Sequence, residues 1–273
     1  MQVTNVTAPD GLTLAVQEWG NPRGAEILFI HGYNQSYLSW LRQFGDAALA
    51  DFRVITFDLR GHGASDKPTD AKYYSHARWG DDIAAVMKAT GLRRPVLVGW
   101  SYGGNVICDY LRDYGAGSIA GINFVSAATK FEQRFLGPGR DHQPDMFSPD
   151  LATQITGTRG FLRACFQRQP SVDDFEIMLA FNMVVPPPVR KAMMSRPRNP
   201  GDMLAPLRCP TLVTHGIDDR VLLVGLGEFT AATVPGARLS LYEGAGHAPF
   251  WEDAPRFNRE LAEFTRTANA PAR

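Results

Sequence analysis

The chain has 273 residues, 44% of them hydrophobic, which suffices for one large core with room for an inserted subdomain. Lysine plus arginine and aspartate plus glutamate each number 28, so the formal net charge is +0 and there is no excess of basic residues to form the stripe a nucleic-acid partner requires. No apolar run approaches the ~18 residues of a membrane span, Met1 to Asp10 carry no signal-peptide pattern, and Cys108, Cys165 and Cys209 are too scattered for a disulfide framework or a zinc site, which points to a cytoplasmic protein with no membrane partner.

In chain order, Leu12 to Trp19 reads as an opening strand or hairpin arm, followed by short apolar runs at Ile27 to Ile30 and Val54 to Phe57. Tyr74 to Thr90 has helical spacing, Val96 to Val98 is a further strand, and Asn105 to Tyr114 is again helical. Strand signals return at Ile122 to Val125, Thr211 to Val213 and Leu239 to Tyr242. The tail from Asp253 to Thr267 repeats Phe257, Leu261 and Phe264 at i, i+4, i+7. Strands alternating with helices imply an α/β fold, a mostly parallel sheet with helices on both faces.

The junction at Val96 to Cys108 carries the chemistry. A buried-strand run stops at Gly99-Trp100-Ser101-Tyr102-Gly103, the G-x-S-x-G pattern of a nucleophile elbow. A strand turning directly into a helix strains the backbone at Ser101 and leaves no room for Cβ atoms at 99 and 103, hence the glycines. The serine oxygen is then exposed on a sharp turn, and the Tyr102 N–H at the helix start can face a developing oxyanion.

From about Thr129 to Leu207 the alternation breaks. Roughly eighty residues cannot be a plain loop in a compact domain, so residues 129–207 read as a helical insertion over the strand ends, with 1–128 and 208–273 as the core. Met178, Phe181, Met183, Met193 and Met194 either line an apolar pocket there or pack the insertion onto the core.

Several landmarks resemble the α/β-hydrolases, in family order. His31-Gly32-Tyr33 resembles the oxyanion loop, Phe57 to Ser65 the D-x-R-G-x-G-x-S turn, and Gly244-Ala245-Gly246-His247 the segment before the last helix. The likeness is to the branch with a cap, nearest the cofactor-free haloperoxidases and arylesterases. It implies a Ser…Asp/Glu…His order, which leaves His142, His215 and His247 as bases; His247, in a glycine-flanked loop after a strand, is the choice, with His215 expected to support a turn. His31 and His62 read as turn-stabilising. The family's H-G-x-x-D pattern falls on Asp219 as the orienting acid, with Asp218 pointing elsewhere.

The resemblance implies an esterase acting on small or medium hydrophobic acyl or aryl esters through an acyl-enzyme, with peracid formation as a side activity. The Tyr33 and Tyr102 N–H groups would form the oxyanion hole, and Trp100, Met178, Phe181 and Met183 a substrate pocket. The only partner implied is a small-molecule ester; no metal or organic cofactor is required, and oligomeric state is not legible. Serine at the elbow argues against haloalkane dehalogenase and epoxide hydrolase chemistry, which uses Asp there. A carbon–carbon bond or lactone hydrolase is the alternative, and a small-molecule receptor of the same fold a further one.

Overall fold

The computed structural model describes residues 1–196 and 200–270. Its strands are β1 (Gln2–Thr7), β2 (Thr13–Gly20), β3 (Glu26–Ile30), β4 (Arg53–Phe57), β5 (Val96–Trp100), β6 (Gly121–Val125), β7 (Thr211–Gly216) and β8 (Arg238–Tyr242). They form one sheet in the order β1-β2-β4-β3-β5-β6-β7-β8. The β1–β2 and β2–β4 pairs are antiparallel and every later pair is parallel. Every residue of β5, β6 and β7 is buried, the polar Asn123, Thr214 and His215 included, because a parallel sheet is covered on both faces. The mostly parallel α/β architecture is the one the sequence implied. β1 was not foreseen: it is an edge strand in which only Val6 is buried, so it has no hydrophobic pattern to read.

Helices α1 (His76–Thr90) and α2 (Tyr102–Tyr114) precede and follow β5. Successive strand residues point to opposite faces: a Cβ on Gly99 would press against Ile107 of α2, whereas the Trp100 ring packs 4.8 Å from that of Phe250. Helices therefore cover both faces. Helix α2 begins at Tyr102, three residues earlier than its spacing suggested. Gly103 and Gly104 hide the helical signal there, yet neither can be larger: a Cβ on Gly103 would collide with the Ile30 carbonyl and one on Gly104 with Ala127.

Among the described residues, helices α3 (Leu151–Ala164), α4 (Val172–Met183) and α5 (Pro187–Ser195) lie between β6 and β7, preceded by 3₁₀ turns. Asp150 and Ser171 cap α3 and α4 by accepting from the Thr153 and Asp174 N–H groups. The proline run starts α5, where a missing N–H costs nothing. Arg190, completely buried, donates to the carbonyls of Met146, Asn182 and Val185 at 2.7–2.8 Å and to the Thr158 hydroxyl at 3.1 Å, tying the ends of these elements together. Arg196 anchors the far end to α2 through Asp109 at 2.7 Å. The chain closes with α6 (Gly225–Thr233), α7 (Pro249–Glu252) and α8 (Ala254–Ala268), the last burying Phe257, Leu261 and Phe264. No helix among the described residues is long and apolar enough to cross a membrane.

Candidate active site

Ser101 occupies the one-residue turn between β5 and α2 with φ 53° and ψ −116°. A non-glycine residue in such a region carries roughly 1–3 kcal/mol of strain, sustained here by three backbone bonds: Ser101 N–H to Val125 O at 3.0 Å, and Gly104 and Ala128 N–H to Ser101 O at 3.0 and 2.9 Å. The β3 loop crosses directly beside it. A Cβ on Gly32 would lie 3.2 Å from the Ser101 Cβ, so the backbone leading into Tyr33 passes against the Ser101 side chain.

Two further loops converge from β7 and β8. Gly216 permits this approach, because a side chain there would strike the carbonyls of Ala245 and Gly246. His247 is held from both sides: its N–H donates to Cys165 O and its carbonyl accepts from Trp100 Nε1, each at 2.8 Å. The residue next to Ser101 thus clamps the histidine loop above the elbow. His247 Nδ1 lies 2.7 Å from Asp219 Oδ2. Nδ1 therefore carries the proton, and Nε2 has no hydrogen-bond partner among the described residues.

Asp219 is fully withdrawn from water. Its Oδ1 accepts from Val221 and Leu222 N–H at 2.8 and 2.9 Å. Burial alone would raise its pKa, but the His247 charge and the hydrogen bonds from His215 and His247 outweigh that and hold the carboxyl below the usual range. Asp218 is half-buried and makes no side-chain hydrogen bond or ion pair with the described residues. His215 Nε2 lies 2.8 Å from Leu222 O and 3.2 Å from Asp219 Oδ2. It supports the turn, as its position suggested, but it also reaches the carboxylate. The sequence reading missed that contact; the four-residue spacing from His215 to Asp219 was its only trace.

The other histidines are placed away from this pair. His31 donates from Nδ1 to Gly32 O and accepts at Nε2 from Leu59 N–H, and burial lowers its pKa well below the ordinary value. His62 is bonded to Arg60 O, and burial brings it down to about 4. His142 is exposed and its ring lies on Gly160 of α3.

Tyr33 is buried, its hydroxyl donating to Arg190 O at 3.4 Å, so the loop after β3 is bonded to the inserted segment. The Tyr102 ring packs edge-on against Trp79 and beneath the Arg196 guanidinium. Trp100, Met178 and Phe181 line one small apolar cavity with Gln35, Leu162 and Phe250. Met183 lies outside that lining; half-buried, it puts its sulfur 3.8 Å from Arg190 Nη2. Among the described residues no three His, Cys, Asp or Glu side chains are grouped to hold a metal ion.

Residues 27–260 match the model of the alpha/beta hydrolase family, and the chain belongs to that family. At 40% identity and a TM-score of 0.92 it resembles a Burkholderia cenocepacia chain described as a candidate aryl esterase, over 98% of this chain and 99% of that one. An esterase from Rhodococcus sp. ECU1013 is 33% identical with a TM-score of 0.90, over 98% and 100% of the two chains. A bifunctional esterase/perhydrolase from Acinetobacter calcoaceticus is 28% identical over 96% of this chain and 99% of its own.

Proposed function

We propose that the protein is a serine hydrolase that cleaves carboxylic esters, with Ser101 as nucleophile, His247 as general base and Asp219 as the acid that orients it. The observation that carries this reading is the 2.7 Å His247–Asp219 pair, with its second nitrogen unpaired, in a loop clamped to the residue beside a strained serine. His247 Nε2 takes the Ser101 proton as Oγ attacks the carbonyl, and Asp219 stabilises the imidazolium and keeps the productive tautomer. The Tyr33 and Tyr102 N–H groups receive the oxyanion, each donor of this type contributing about 3 kcal/mol to the barrier reduction. His247 returns the proton to the leaving alcohol, and water, deprotonated by the same residue, releases the acid.

The inserted helices act as a cap, and small to medium hydrophobic acyl or aryl esters suit the apolar side chains around the elbow. The likeness to esterases at 40% and 33% identity supports the ester class. Hydrogen peroxide replacing water in the second step would yield a peracid, the side activity that the 28% identical bifunctional relative suggests. A p-nitrophenyl ester series from acetate to laurate, run beside aryl esters and lactones, tests the reading. Sustained turnover after the acyl-enzyme burst is the expected result; a stoichiometric burst without turnover would point to a binding protein instead.

A further inference from the structure

We infer that His215 is a positioning residue for this chemistry, its Nε2–H bridging Asp219 Oδ2 and Leu222 O so that the carboxylate meets His247 at one angle and with part of its charge already engaged. The inference rests on the reading of Asp219 and His247 as acid and base. Leu222 O can only accept, so the 2.8 Å contact places a proton on His215 Nε2, and Asp219 Oδ2 lies 3.2 Å from that same nitrogen. The Leu222 N–H donates in turn to Asp219 Oδ1 at 2.9 Å. One imidazole therefore sits against both the carboxylate and the Leu222 residue whose N–H holds the other carboxylate oxygen.

The surrounding fold is shaped to hold this arrangement. His215 is completely buried, and α6 lies against it through Gly227, where a Cβ would come within 2.7 Å of His215 Nδ1. The titratable groups facing the cluster are His247 from the loop after β8 and the buried Cys165 thiol from the end of α3. Glu252 of α7 stands behind Cys165, its carboxylate occupied by the Gly246, Gln167 and Arg168 N–H groups. Without the His215 imidazole, the negative charge on Oδ2 acts more fully on the His247 ring.

The test compares His215→Asn and His215→Gln with the wild-type enzyme on one ester. Glutamine can place an N–H near the Nε2 position, whereas asparagine cannot reach it. For His215→Asn, kcat falls roughly 10- to 100-fold, the range for hydrogen-bond partners one step removed from a reacting centre, while KM stays put. The acid limb of kcat/KM, which reports the base, moves to higher pH. His215→Gln restores most of the rate and the original limb.

A folded His215→Asn protein with wild-type kcat and limb overturns the inference, as does an equal loss in both variants with an unmoved limb. If neither variant folds, nitrogen NMR of the wild-type imidazoles decides: a proton on Nε2 supports the bridge, and a proton on Nδ1 alone overturns it. Asp219→Asn separates the two levels. Wild-type activity in Asp219→Asn overturns the acid assignment itself, whereas a crippled Asp219→Asn beside a normal His215→Asn overturns only the role of His215.

Discussion

Asp82 and Asp219 are both buried carboxylates with every oxygen engaged, yet their surroundings do different things. Asp82 takes Arg60 as a fork, at 2.6 and 2.7 Å, and the remaining Arg60 donors go to Asp10 and to the Tyr73 carbonyl. Asp219 takes two backbone N–H groups on one oxygen and two imidazoles on the other. The first cluster is closed, because a guanidinium has only donors and does not release a proton. The second is open, because an imidazole paired through one nitrogen still offers the other, and His247 Nε2 is unpaired. The electrostatics diverge as well. Burial raises the Asp82 carboxyl to about 6 despite Arg60, whereas the histidines hold Asp219 below the usual range despite its burial. Full pairing of a buried carboxylate marks structure in one place and, on the proposed mechanism, chemistry in the other; the partner's spare atom makes the difference.

The comparison is broken most sharply at the open cluster. Ser101→Ala should cost ~10⁴–10⁶ in kcat while the thermal melt stays near wild type, since the elbow is held by backbone hydrogen bonds and the hydroxyl makes none with the described residues. Retention of more than a few per cent of turnover in purified Ser101→Ala would end the serine mechanism. Asp219→Asn keeps the size but favours the wrong His247 tautomer, and by the triad precedent it should cost about 10⁴ in kcat. Steady-state kinetics on protein of matched thermal stability checks this.

Breaking the closed cluster should act on stability instead. Arg60→Met leaves Asp82 buried without its partner, a loss of about 3–5 kcal/mol, readable by urea unfolding, with kcat of the folded fraction close to wild type. A large kcat loss with unchanged stability would erase the distinction between the two sites. The pH dependence sharpens it further. The Asp82 carboxyl is raised from 3.8 to about 6, so its contribution to stability is complete below about pH 4 and is lost as pH rises through 6. Wild-type Tm should therefore decline relative to Asp82→Asn between pH 4 and 6; a relative rise would mean that pairing with Arg60 outweighs burial. Asp219, with its pKa depressed, contributes in the opposite sense, its share being lost only as pH falls below the ordinary carboxylate range.

The smallest effect is expected one residue away. Asp218→Asn should change kcat less than about tenfold, under roughly 1.4 kcal/mol of barrier. Should Asp218→Asn be the crippled variant and Asp219→Asn nearly normal, the open cluster has been assigned to the wrong carboxylate.

Legibility followed how local the cause was. Gly99, Ser101 and Gly103 announced the elbow because a strand turning into a helix in one residue demands that backbone whatever surrounds it. β1 gave no signal because a strand with one buried side chain needs no pattern. Helix α6 passed unremarked for a related reason: Gly225 and Gly227 are poor helix formers, and Gly227 is explained only by the His215 ring packed against it. Trp100 was expected to line a substrate pocket. It does line a small cavity, but its indole N–H also clamps the His247 carbonyl, a contact spanning 147 positions.

The sequence by itself determined the α/β alternation, the strained serine and the set of late histidines and aspartates from which a base and an acid could come. Steric demands and hydrophobic runs act over a few residues, so they are written in neighbouring letters. Which partners those groups took was decided only in three dimensions. The order β5-β6-β7-β8 brings the ends of β7 and β8 side by side, the glycines at 216 and 246 allow their loops to close on one another and on the inserted segment, and Asp219 turns back within reach of two imidazoles at once. Buried hydrogen-bonding groups must be satisfied by whatever lies nearest in space. That neighbour comes from the packing of distant segments, and so no single stretch of sequence carries it.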